Sequence, residues 1–475
     1  MGKYIKAVFL LLLAAAPIAL VLILIFGEDS QYNADYTVAE YNEQSEIEYG
    51  YADVTADEIV EPQYTTLTLG GLWFSRAVRS EVERFNSESE RYRIELLSFS
   101  EYTYLDPITG VYVVDYEAVK EKDVDMIIDD LGVWFSPVDL YAFIDADPEL
   151  NREDFFPNVL ASMESSYGTL SFITYAFGIE TMISMREVAE QISPFTFQNI
   201  FMQLNEPSTP GFVNFGLPWN FIVDRALLLC GDYFLDLENN LANFYNDEFL
   251  SVLKIAEHPI GRDFALEGML TILSAEWGRF QRGDALLSQF WINNLERLRI
   301  YDAILGGIVA TGIPTVAGGV HVINTQSAIG ITADSPHQEV AWSFIRRFLL
   351  PTHGYGDDLN GLPLRIDLFE ESITRLMTAD IRDGVEYPRE LEWPGSRTPL
   401  FPEPILLLYA MTEYEAAQIR EIVETAVSAR RFYDVEWHVH EIVREEAVVF
   451  IETARTAEET ALVIQERVQA LLDYW

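Results

Sequence analysis

A single cysteine, Cys230 in the apolar run ALLLC, is all that 475 residues contain. That excludes an intramolecular disulfide and a cysteine-based zinc cluster, and leaves a buried, inert thiol as the plain reading. Basic residues are scarce as well: 31 Lys and Arg face 76 Asp and Glu, for a formal charge of −45. The acidic excess is spread along the chain, so it reads as a soluble, self-repelling surface that also repels nucleic acid and anionic headgroups. Nucleic acid is therefore not expected as a partner. The six histidines are scattered apart from His438 and His440. In a helix, two positions apart do not share a face, so this pair makes no metal site. No GxxxxGK(S/T) phosphate loop occurs, and no cofactor or metal is expected. No internal period of about 20–50 residues repeats, which argues against a solenoid.

What the chain does have begins at its N-terminus. Lys3 and Lys6 precede AVFLLLLAAAPIALVLILIF, an uncharged run from Ala7 to Phe26. As a helix it spans about 30 Å, the thickness of a bilayer's hydrocarbon core. A secretory signal has a shorter apolar region, about 7–15 residues, followed by a small-x-small cleavage site. Here the small residues Ala14 to Ala16 lie inside the run, which favours a retained anchor over a cleaved signal or a buried core helix. The lysines before the run and Glu28 and Asp29 after it place everything downstream outside the cell. Residues 1–27 are therefore expected to be a signal-anchor transmembrane helix in the cell membrane, and 28–64 an acidic, tyrosine-rich tether. At about 36 residues, such a coil reaches about 30–35 Å.

Alternation of strand and helix patterns starts at TTLTLGGLWF. SRAVRSEVERFNSES follows with Val78, Val82 and Phe85 at helical spacing, and RYRIELLSFS and DVDMIIDDL read as strands. Strands separated by helices of this length imply a parallel sheet, hence an α/β class, with ligands at strand carboxyl ends. TLSFITYAFGIETMISM is strand-like, the chain to about Ile304 is mostly helical, and GIVATGIPTVAGGVHVINTQSAIGITA returns to β structure. SPHQEVAWSFIRRFLL reads as a helix capped by Ser335 with Pro336 at its first position, and the chain from MTEYEAAQIREIV to the end as two helices.

Taken in order, these segments resemble the family-one bacterial extracellular solute-binding proteins, the sugar-binding subunits of ABC importers. VERFN between two strands, DVDMIIDDL, EDFFPNVLASMESSYGTLSFITYAFGIETMI, GIPTVAGGVHVI with AIGITADSPHQEVAWSFIRRFL, LPLRIDLFEE and the C-terminal EEAVVFIETARTAEETALVIQERV carry the resemblance, from Thr65 to Trp475. It implies a two-lobed periplasmic-binding-protein-like fold of the type II cluster. Residues 65–172 and 326–361 would form the N-lobe, and 173–325 and 362–475 the C-lobe, with an interlobe cleft and a hinge of several crossings. It implies a carbohydrate ligand and ABC permease partners. The family's frequent lipobox cysteine is absent, consistent with a transmembrane anchor, and Asp284 replaces a frequent lysine in GDALL.

A sugar presents apolar ring faces and polar edges, so its site needs aromatic platforms beside carboxylates, amides or arginine. Position selects the candidates. Trp73 and Phe74 follow the first strand; Asp129, Asp130, Trp134 and Phe135 follow the DVDMII strand; Tyr175 sits at the inferred crossing; Trp219 and Trp277 would face the cleft from the other lobe. For each aromatic, core packing is the competing reading, and Trp342, on a one-sided helix, is assigned to the core. Asp129 and Asp130 are adjacent on a strand and point to opposite faces, so they do not make the carboxylate pair of a retaining glycoside hydrolase. Binding without catalysis is the expected function. A surface adhesion or sensory module of the same fold, and a secreted glycoside hydrolase, are the alternatives.

Overall fold

A computed structural model of the chain describes residues 64–105, 112–115, 118–119, 121–128, 136–165, 167–205, 220–257, 286–325, 327–350, 361–392, 405–429 and 435–475. The anchor at 1–27 and nearly all of the tether lie outside these residues. Among the described residues no helix is long and apolar enough to cross a membrane.

The first ordered strand, β1 (Thr65–Gly71), feeds helix α1 (Arg76–Glu88) and returns as β2 (Tyr92–Ser98), parallel to β1. The helix begins where the sequence allows an N-cap: Ser75 Oγ accepts a hydrogen bond from the Val78 amide at 3.3 Å, meeting one of the orphan donors of the first turn. Ala77, Val78, Val82 and Phe85 recur on the buried face, each large apolar side chain contributing about 1.5–3 kcal/mol by leaving water. Strand β3 (Met126–Ile128) is also parallel to β1, and Ile329–Ile331 closes the four-stranded sheet antiparallel to β3.

After helix α2 (Pro157–Met163) comes β4 (Ala176–Met185), buried at all but its last residue, as befits the central strand of a second, six-stranded sheet. Helices α3 (Asn220–Phe234) and α4 (Asp247–Glu257) follow, then β5 (Ser288–Ile292), β6 (Ile308–Ala310), β7 (Val322–Thr325) and the β8 strand Ile329–Ile331 already met. Helix α5 (Gln338–Leu349), β9 (Leu362–Pro363), α6 (Ile366–Met377), α7 (Glu413–Thr425), β10 (Val427–Ser428), α8 (Val435–Glu452) and α9 (Ala457–Tyr474) complete the path. One core surrounds the first sheet and one face of the second; another fills the space between β4, α3, α4, α8 and α9. Cys230 belongs to the latter, and burial pushes its thiol up to about 11. Trp342 belongs to the former, its indole N–H donating to Asp147 at 3.2 Å.

Three expectations need correcting. The sheets are not simply parallel: β4 runs antiparallel to β5, β6, β7 and β9, β7 leading the chain back into the crossing that β4 leads out of, and Ile329–Ile331 runs antiparallel to β3. Ser335 does not cap α5. Its hydroxyl lies 2.5 Å from the Asp125 carboxylate and accepts from the His337 amide at 3.1 Å, so it builds a turn and the helix starts at Gln338. The C-terminal region holds three helices, since capping boxes at Thr412/Glu415 and Thr456/Glu459 each start a new one.

Candidate functional site

The chain passes between the two sheets three times, and the passes are hydrogen-bonded to one another. In the first, Ile173 exchanges both backbone bonds with Ile329 of the second, at 3.0 and 2.9 Å. On its other side, the Leu364 amide of the third pass donates to the Tyr175 carbonyl at 3.1 Å. Phe177, two residues on, lies opposite both Thr325 and Leu362. Space there is tight: a Cβ on Gly361 would sit 2.8 Å from that of Ala176, and Ser327 adopts a left-handed φ of +52° while buried.

Residues at the carboxyl end of β1 form one wall beside these three passes. Trp73 is 52% exposed there, a large aromatic face in water. The Ser75 hydroxyl lies 2.9 Å from the Tyr175 hydroxyl, and the Tyr175 ring stacks on Phe348 with centroids 4.9 Å apart. Tyr175 thus ties the first pass to the β1 loop that presents Trp73.

A second polar and aromatic group lies on the second sheet. Glu180, in the middle of the buried strand β4, is 1% exposed, and a carboxylate so placed needs partners. Arg225 of α3 supplies two, Nε donating to Oε1 at 3.2 Å and Nη2 to Oε2 at 2.5 Å; Gln289 Nε2 donates to Oε1 at 2.7 Å. Directly opposed residues of an antiparallel pair share a face, so Trp291, opposite Glu180, and Gln289, opposite Met182, stand on the same side. Both are half-buried.

The sequence-derived candidates divide accordingly. Trp73 is exposed two residues past the end of β1. Phe74 is 7% exposed and packs in the first core, with the Arg79 guanidinium 5.7 Å from its ring centre. Neighbours on one chain end alternate, and the outward place went to Trp73. Tyr175 is buried at the crossing, its ring engaged by Phe348. Asp129, Asp130, Trp134, Phe135, Trp219 and Trp277 lie outside the described residues. Sequence reading missed Glu180, Arg225, Gln289 and Trp291. The signal available was one acid inside AFGIETMISM, since a carboxylate in a buried strand demands a cation nearby.

No family model and no curated protein matches the chain. Solved structures do. The sugar-binding protein MalE from the phytopathogen Xanthomonas citri has a TM-score of 0.52 at 14% identity, covering 86% of this chain and 98% of its own. The cyclic alpha-maltosyl-1,6-maltose binding protein from Arthrobacter globiformis has a TM-score of 0.52 at 14% identity, covering 87% and 100%. An ABC transporter solute-binding protein from Agrobacterium radiobacter, in complex with ribitol, has a TM-score of 0.51 at 16% identity, covering 86% and 100%. The chain has the mixed α/β, two-lobed fold of these proteins.

Proposed function

We propose that this protein captures a carbohydrate between two lobes outside the cell and delivers it to an ABC-type permease, held to the membrane by residues 1–27 and lifted from it by 28–64. The observation that carries the reading is the hydrogen-bonded triple crossing between two sheets, with aromatic and hydrogen-bonding side chains beside it on both. A band of this kind serves a molecule that closes on a ligand, and the side-chain types are those a sugar's ring faces and hydroxyls require. The structures of like fold are described as binding a sugar, a cyclic maltosyl-maltose and ribitol, which agrees with this ligand class. Residues 65–172 with 326–361 make the N-lobe, and 173–325 with 362–475 the C-lobe. Trp73 and Trp134 serve as stacking platforms, Asp129 and Asp130 as hydroxyl acceptors, and Trp219 and Trp277 close from the C-lobe.

A thermal-shift screen of mono- and oligosaccharides tests this. A true ligand at about 100 times its dissociation constant stabilises by about 2.7 kcal/mol. Calorimetry on Trp134→Ala and Asp130→Asn with that ligand should then show weakened binding at an unchanged melting temperature of the free protein. Wild-type affinity in both variants would remove them from the site. A loss of about 3–5 kcal/mol in free Trp134→Ala would return that residue to the core.

A further inference from the structure

The carbohydrate reading leaves open what charge the ligand carries, and the Glu180 cluster bears on that. Resting on that reading, we infer that Arg225 is the C-lobe's hydrogen-bond donor to the ligand, and that its pairing with buried Glu180 selects an uncharged carbohydrate over an acidic one. Glu180 holds two of the three guanidinium nitrogens, Nε and Nη2, from beneath. Nη1 has no hydrogen-bond partner among the described residues, and the side chain keeps 20% of its surface in water. The Phe221 ring lies 5.0 Å from the guanidinium carbon. Arginine fixed in this way is a pre-oriented donor, and little side-chain freedom remains to be lost when it binds. Gln289 is fixed too, its amide nitrogen spent on Glu180, while the half-buried indole of Trp291 stands in register on the same face. A donor and an aromatic within one cluster match the edge and face of a pyranose.

A purely structural ion pair is the competing account, and physical chemistry disfavours it. Burying a charge pair between sheet and helix gives little stability over apolar side chains of the same volume, so holding a donor in place accounts better for the expense. The pair's charges cancel, so the cluster offers an acidic sugar no net attraction, while the chain's formal charge of −45 repels it.

The test is calorimetry on the full-length chain in a non-glycosidic detergent. Each neutral trisaccharide of a panel (malto-, cello-, xylo-, manno- and galactotriose) is compared, where it has a C6 hydroxyl, with its C6-carboxylate counterpart. Arg225→Met alone strands a buried carboxylate, so the decisive variant is Glu180→Gln with Arg225→Met, which removes both charges and leaves Gln289 a partner. Expected is binding of a neutral sugar at least tenfold tighter than its acidic counterpart, and at least a tenfold loss in the double variant at an unchanged melting temperature of the free protein. Wild-type affinity in the double variant would make the pair structural, and equal or tighter binding of the carboxylate sugar would overturn the selection. If the wild-type chain binds no sugar, carbohydrate capture itself fails and this inference with it.

Discussion

His321 makes folding sensitive to protons. Its ring is half-buried with Nδ1 2.9 Å from the Thr181 hydroxyl, and burial pushes its pKa down to about 4 from an ordinary 6.5. The folded chain therefore binds fewer protons at this site than the unfolded chain between those values. Its contribution is complete above pH 6.5 and is lost as pH falls toward 4, by up to about 3 kcal/mol. Urea titrations across that window should show His321→Gln flattening the wild-type slope, and parallel slopes would remove His321 as the cause. The acid pairs act lower. Burial raises Asp147, but the Arg346 ion pair, the Glu149 amide and the Trp342 indole outweigh it and hold the carboxyl below its ordinary value. That stability is present above about pH 4 and disappears as pH falls through the lowered pKa, so Asp147→Asn should matter at pH 6 and cease to matter in strong acid. Differences between variants isolate both effects from the easing of overall repulsion that acidification brings to so acidic a chain.

Among elements, the short hairpin Ile313–Pro314 with Gly319–Val320 is the tightest. A Cβ on Gly319 would fall 1.9 Å from the Thr311 carbonyl oxygen, and one on Gly312, at φ +78°, would fall 2.4 Å from the Val320 nitrogen. Gly319→Ala should cost about 3 kcal/mol or more, because backbone must move to admit the methyl group. A melting temperature within a degree or two of wild type would show that the hairpin can yield. At the last helix, Thr456→Ala removes a capping hydroxyl that accepts from Glu459 N at 3.1 Å, and should cost about 1 kcal/mol in denaturant. Elements of this kind are what a sequence shows best. The unit β1-α1-β2 is legible because Val78, Val82 and Phe85 repeat at the helical period between alternating strands, and its pairing partners are neighbours in the chain. The second sheet is not legible in the same way: Glu180 meets Gln289 across 109 residues, and no local pattern reports the direction in which β5 returns. The wall at Trp73 follows from the rule for strand carboxyl ends. The Glu180 cluster does not, because it is assembled from three distant segments on β4, α3 and β5.

For the molecule as a whole, the formal charge of −45 is a standing repulsion that folding concentrates. Added sodium chloride should therefore raise the melting temperature of the free protein between low salt and about 0.5 M, as the screening length falls from tens of ångströms to a few. A flat or falling trend would mean that loss of attractive pairs such as Arg346–Asp147 and Arg420–Glu370 outweighs relief of the net repulsion. The triple crossing has a further consequence, for the order in which the chain can fold as it is made. The first sheet takes its closing strand, Ile329–Ile331, from beyond most of the second, so β3 waits about 200 residues for its outer neighbour. At a synthesis rate of about 5–20 residues per second, that is a delay of roughly 10–40 seconds with an apolar edge, MII, unpaired. Neither sheet is the product of a continuous stretch of chain, so a truncation that ends before Ile329 leaves two unfinished sheets instead of one finished lobe. The newborn polypeptide must stay dispersed through that interval, and an excess of like charge along its whole length suits it to do so unaided.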